Sequence, residues 1–207
     1  MPRPDRLVVV VATATEVGKT WTTAELCRRI DGAGARKPVQ SFDPADPVEA
    51  RDASILAAAT GEPVERVCPP HRNYEVAMAP PMAASALGRP PIRFEELVAE
   101  LTWPEPLRVG FVETVGGLRS PLAEDGDGLD LIERVEPDLV VAVAPAGLGV
   151  VNDVRLLAGA LAERPLIVFL NRYDEADALH RANRSWLAER DGLDVLTDLD
   201  TLAARLA

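Results

Sequence analysis

The sequence predicts an α/β fold, a single doubly wound and mainly parallel sheet with flanking helices. Three observations carry this. Short continuous apolar runs recur at residues 7–11, 139–143 and 166–170, as parallel strands buried on both faces require. Helical stretches rich in Ala and Leu separate them. No repeat or flexible linker breaks the alternation, so residues 1–207 read as one domain.

The elements follow in order. Residues 7–11 form the first strand, and 21–30 the helix after a glycine-containing loop. Residues 36–39 read as a second short strand and 48–60 as an alanine-rich helix. The segment 63–91 holds three Pro-Pro pairs yet is too apolar for disorder, so it reads as ordered, irregular chain lining a site. Helix 94–101, strand 108–112, helix 130–135, strand 139–143, helix 151–161 and strand 166–170 continue the pattern. A long helix over 174–189, a short strand near Val195 and a helix over 199–206 complete it. In such sheets ligands bind beyond the carboxyl ends of the strands, which singles out the loops after Val11, Val39, Val112, Val143 and Leu170.

Composition narrows the function. The chain is 47% hydrophobic and 27% charged, ordinary for a globular protein, and its net charge of -11 argues against nucleic acid as a partner. The apolar runs are too short to span a membrane. Cys27 and Cys68 lie far apart, outside any metal-ligand spacing, which fits a reducing cytoplasm; the start of the chain leads straight into a strand, with no secretory signal expected. Positive charge is carried almost wholly by Arg, with lysine only at Lys19 and Lys37.

The first of those lysines sits in a motif. After the first strand come Ala12, Thr13, Ala14, Thr15, Glu16, Val17, Gly18, Lys19 and Thr20, and then a helix. A phosphate-binding loop needs converging backbone N–H groups and the positive end of a helix dipole. Gly18 allows close approach, Lys19 reaches phosphate oxygens, and the Thr20 hydroxyl can hold Mg²⁺. ATP or a related nucleotide is therefore the expected ligand. A glycine is expected where Ala12 stands, and its methyl is expected to press on the turn and weaken nucleotide binding.

The text T-x-T-E-V-G-K-T, together with Lys37-Pro38-Val39-Gln40-Ser41, resembles the dethiobiotin synthetases, P-loop enzymes of biotin synthesis. The likeness continues in Arg51-Asp52-Ala53, in Pro80-Pro81-Met82-Ala83-Ala84, and in the loop from Glu113 through Gly116 and Gly117 to Leu118. It extends to the turn Gly147-Leu148-Gly149-Val150-Val151-Asn152 and to Asn171. The resemblance implies a homodimer that converts 7,8-diaminononanoate, CO₂ and ATP into dethiobiotin, ADP and phosphate. It implies that Thr20, Asp52 and Glu113 surround Mg²⁺, that Lys19 and Lys37 neutralise charge, and that Thr15 and Ser41 supply hydrogen bonds. Pro81 would belong to the substrate segment, Asn171 would read adenine, and Gly149, Val150 and Asn152 would take the substrate carboxylate across the dimer interface. Thr114 and Val115 depart from the family's Gly-Ala and are expected to bring branched side chains to the reacting centre.

Other features read as structural. Asp52 by itself is an ordinary helix N-terminal charge, His71 and His180 read as surface residues, and Trp21 reads as packing rather than a platform for a base. Two other functions fit the fold: a homologue with a changed or lost substrate, and a partitioning-type switch ATPase. The second usually carries an early loop lysine, which the run Ala12-Thr13-Ala14 lacks.

Overall fold

The computed structural model describes residues 3–103 and 106–207. Its central strand β1 (Arg6–Ala12) is buried along almost its whole length, and alternate residues feed two separate cores. Val8, Val10 and Ala12 pack with Ala24, Leu26, Leu202 and Leu206 on one face. Leu7, Val9 and Val11 pack with Leu97, Leu131, Ile132 and Leu157 on the other. A strand whose side chains alternate between two apolar layers reads as a continuous apolar run, which is why this one was legible.

From β1 the chain passes through helix α1 (Lys19–Arg29), strand β2 (Ala33–Arg36), helix α2 (Asp52–Thr60), helix α3 (Pro80–Ala86) and helix α4 (Phe94–Glu100). Strand β3 (Val109–Glu113), helix α5 (Gly128–Val135), strand β4 (Leu139–Pro145) and helix α6 (Val150–Leu161) follow. Strand β5 (Leu166–Asn171), helix α7 (Ala178–Ser185), strand β6 (Asp194–Leu196) and helix α8 (Leu199–Leu206) end it. The six strands form one parallel sheet in the order β6-β5-β4-β1-β3-β2. Strand order therefore reverses at β1, and the site is built at its carboxyl end.

Several boundaries differ from the sequence reading, each for a local reason. Strand β2 pairs from Ala33↔Val109 to Arg36↔Val112 and stops before the expected 37–39. There Lys37 turns its N–H to the Val67 carbonyl at 2.8 Å, and Pro38 has none to give a ladder. The expected helix 48–60 is broken at Arg51, whose ψ of 141° separates a single turn at Val48–Ala50 from α2. The break leaves Asp52 as the first residue of α2. Segment 63–91 is more ordered than expected, with helical turns at Val64–Val67 and Pro70–Arg72 as well as α3, whose leading prolines fill positions where no N–H is needed.

Helix α5 starts at Gly128 rather than Asp130, because the Asp127 carboxylate accepts from Leu129 and Asp130 while Asp130 accepts from the Asp127 N–H. The long helix expected over 174–189 begins at Ala178, capped by Asp177, and ends in one wide turn at Trp186–Arg190. Among the described residues no helix is long and apolar enough to cross a membrane. Burial pushes the Cys27 and Cys68 thiols up to about 12, so both behave as core residues.

Candidate active site

The chain leaves β1 at Ala12 and turns through Thr13, whose N–H still donates to the Val143 carbonyl at 3.1 Å. Ala14, Thr15 and Glu16 are exposed, Val17 is buried, and Gly18 caps α1 with φ 92°. A side chain at Gly18 would be doubly excluded: its φ is left-handed, and a Cβ would lie 2.1 Å from the Asn171 amide nitrogen. Gly18→Ala is expected to lower the melting temperature and to abolish nucleotide binding, measured by thermal unfolding with and without Mg-ATP. The loop holds a second left-handed residue in Glu16, at φ 59°.

Ala12 is a different matter. It lies in register opposite Val143 at the end of β1, in strand conformation and outside the positive-φ residues. Its methyl is an ordinary core contact rather than a distortion of the turn, so the expected weakening has no basis. Ala12→Gly should leave Mg-ATP affinity flat or lower, because glycine only adds freedom to the unfolded chain; titration calorimetry reads this directly.

The loop after β3 closes over the phosphate loop. Leu118 donates its N–H to the Ala12 carbonyl at 3.1 Å, and a Cβ at Gly117 would stand 3.2 Å from the Thr13 carbonyl oxygen. Gly116 takes φ 54° beside Ser120. Thr114 does not intrude on the site: it is fully buried, with its hydroxyl donating to the Val10 carbonyl at 3.3 Å. Only Val115 of that pair lines the cleft.

At the carboxyl end of β3 three elements converge. The Thr20 hydroxyl lies 2.8 Å from Asp52 Oδ1 and 2.7 Å from Glu113 Oε1. Lys37 Nζ lies 2.6 Å from Asp52 Oδ2, 2.8 Å from Glu113 Oε1 and 3.1 Å from the Thr114 carbonyl. Burial works against the Lys37 ammonium, but Asp52 and Glu113 outweigh it and raise its pKa above the usual lysine value. Asp52 feels the same balance in reverse, burial raising it and Lys37 drawing it down to about 2. Lys19 as a residue is 8% exposed, and its amine makes no hydrogen bond or ion pair among the described residues. Burial first, and the like charge of Lys37 second, lower its pKa.

This donor set fits a hard divalent cation. One hydroxyl proton cannot serve Asp52 and Glu113 together, and Glu113 Oε2 is buried with no partner among the described residues. Oxygen donors short of protons are relieved by a cation. No group of three or more His, Cys, Asp and Glu is placed to hold a metal among the described residues, so two carboxylates and a hydroxyl would leave other positions to phosphate and water.

Of these residues Lys19, Thr20 and Asp52 line a cleft of about 820 Å³, together with Thr15, Glu16, Ser41, Met78 and Pro80, while Lys37 and Glu113 are buried behind it. The Ser41 hydroxyl donates to the Met78 carbonyl. Pro81 is buried beneath the segment rather than lining the cleft. Arg51 was not anticipated: its guanidinium sits 4.0 Å over the Phe42 ring at the cleft wall, with Nε lacking a partner among the described residues. Asn171 has work of its own, donating Nδ2 to the Val17 carbonyl at 2.9 Å and accepting the Arg172 N–H at 3.0 Å on Oδ1. Gly149, Val150 and Asn152 stand apart at the start of α6, where Gly149 caps the helix at φ 95°, and none of them lines this cleft.

A family profile described as an AAA domain matches residues 6–204. The chain is 35% identical over 198 residues to the ATP-dependent dethiobiotin synthetase of Haloferax mediterranei, covering 91% of this chain and 81% of that one. It is 34% identical over 204 residues to the enzyme of the same name from Anaeromyxobacter dehalogenans, covering 92% and 89%. In fold it is similar to a putative plasmid partition protein of Borrelia burgdorferi bound to AMPPNP, with a TM-score of 0.57 and 11% identity over 97% of this chain and 90% of that one.

Proposed function

The chain belongs to the ATP-dependent dethiobiotin synthetase family, and we propose that it forms dethiobiotin from 7,8-diaminononanoate, CO₂ and ATP. Enzymes of this kind are ligases that make carbon–nitrogen bonds. The observation that carries the reading is the meeting of Thr20, Asp52, Glu113 and Lys37 within hydrogen-bond distance at the end of a phosphate loop.

In this reading one substrate amine adds to CO₂ and sheds a proton, giving a carbamate. A carbamate oxygen attacks the γ-phosphorus, and ADP leaves. The second amine then attacks the carbamate carbon, the C–O bond to phosphate breaks, and the ureido ring closes. Such chemistry requires positioning and charge neutralisation more than a protein nucleophile. Thr13, Ala14, Thr15, Glu16, Val17 and Gly18 present the loop to the phosphates, and Lys19 meets the charge that develops between β- and γ-phosphates. Lys37 holds the carbamate and γ-phosphate against each other. Thr20, Asp52 and Glu113 would hold Mg²⁺, which supplies neutralisation of phosphate charge when bound. The Ser41 hydroxyl donates to Met78, so its lone pairs remain for a substrate amine.

The family resemblance assigns the carboxylate end of the substrate to a second copy of the chain. A homodimer that brings Gly149, Val150 and Asn152 of one chain to the cleft of the other answers this. The nearby Leu148 and Leu156, 91% and 69% exposed, support it as side chains awaiting cover. Light scattering at micromolar concentration is expected to give twice the chain mass; a monomer there overturns the dimer. The function itself is tested by incubating the protein with diaminononanoate, bicarbonate and Mg-ATP. Dethiobiotin and phosphate are expected in equal amounts, and phosphate without dethiobiotin would refute the substrate.

A further inference from the structure

Two clefts meet at the start of α1. One is the phosphate-side cleft described above. The other, about 640 Å³, lies beyond the carboxyl ends of β5 and β6. Gly18 and Trp21 line both. A ligand gripped by its phosphates at the loop and continuing toward β5 must pass this pair.

Trp21 does not pack into a core, contrary to the sequence reading. Its side chain is 49% exposed although it sits in the first turn of α1. Trp103 is buried with Arg36 4.4 Å from its centroid, and Trp186, 47% exposed, has Arg155 and Arg190 at 5.7 and 5.9 Å from its centroid. Among the described residues no guanidinium covers Trp21. An exposed indole on the wall of a cleft is a costly feature for a surface without a partner.

Several other groups of the second cleft are engaged elsewhere. Phe169 supplies an apolar floor. The Asp198 carboxylate caps α8 by accepting from the Thr201 N–H and hydroxyl, both at 2.8 Å. Asp200 is paired with Arg29 at 2.8 Å. Asn171 is already bonded at both ends of its amide. Of the aromatic residues that line this cleft, Trp21, Phe169 and Tyr173, Trp21 alone also lines the phosphate-side cleft, and aromatic side chains stack on any nucleobase because every base has a π face.

We propose that Trp21 is the stacking platform for the base of the bound nucleotide, and so a determinant of nucleotide affinity separate from the phosphate loop. The inference rests on the nucleotide-binding reading above. It is tested by calorimetric titration of wild type, Trp21→Leu and Trp21→Phe with Mg-ADP and with Mg-pyrophosphate, which carries phosphate but no base. Trp21→Leu is expected to weaken Mg-ADP about tenfold and to leave Mg-pyrophosphate unchanged, with Trp21→Phe close to wild type. Mg-ADP is also expected to quench indole emission in wild type and in Trp186→Phe, but not in Trp21→Leu. Unchanged Mg-ADP affinity in Trp21→Leu overturns the inference, and so does equal weakening of both ligands, which would make Trp21 a support of the loop. Wild type that binds neither ligand refutes the nucleotide reading itself.

Discussion

Lys37→Gln is expected to cost both stability and turnover, and by more than any other single change at the site. Lys37 is 1% exposed in its side chain and bridges Asp52 at 2.6 Å and the fully buried Glu113 at 2.8 Å. Removing one partner of a buried ion pair leaves an uncompensated charge, worth about 3 kcal/mol at the low end of the usual range. The low end applies because Asp52 is 40% exposed and solvent screens its share. The pH dependence separates this from simple loss of packing. In wild type Asp52 is held at about 2, below its unfolded value, so its contribution is present above the unfolded pKa and fades as pH falls toward 2. The variant lacks that contribution. Its deficit relative to wild type should therefore hold between neutral pH and about pH 4 and shrink as pH falls from there toward 2, measured by urea unfolding in magnesium-free buffer. A deficit that is constant with pH would remove the charge argument. On the proposed role of Lys37 at the transferred phosphate, turnover should fall more than Mg-ADP affinity; calorimetry beside a rate assay checks this.

Lys19→Ala should do the opposite to stability. Lys19 is a buried residue whose amine has no bonded partner among the described residues, and burial lowers its pKa. Deleting it removes a desolvated cation that the fold itself does not use, so the melting temperature should hold or rise. The rate should fall by about 10²–10³, the usual effect of losing one donor aimed at developing charge. A variant keeping more than about a tenth of wild-type turnover would take Lys19 out of the mechanism.

The phosphate loop was legible because its residues are contiguous and its backbone demand is local. Gly18 must be glycine on conformational grounds alone, and the strand before it announces itself by apolar continuity. Asp52 was legible through resemblance, and Glu113 also through its place at the carboxyl end of an apolar strand, but nothing in sequence brings positions so far apart to one hydroxyl. Three things escaped because they depend on tertiary surroundings. The exposure of Trp21 is set by what does not pack on it. The second use of Asn171 depends on the approach of β5 to the loop. The early end of β2 follows from where Val67 offers a carbonyl. Ala12 misled for the complementary reason: a family pattern names the residue usually present, while the strand register decides whether another residue is strained there.

The bond from Asn171 to Val17 also bears on how the loop behaves before any ligand arrives. An amide at the end of β5 holds the crest of the phosphate loop to the rigid sheet, and its nitrogen fills the space that a side chain at Gly18 would need. A loop fixed in this way has already given up its freedom during folding, so a nucleotide meets N–H groups that need no ordering on arrival. The gain appears as a slower release of ligand rather than as a new contact. Asn171→Ala would return that freedom to the loop: backbone amides at Val17 and Gly18 would exchange hydrogen faster in the ligand-free protein, and bound nucleotide would leave sooner.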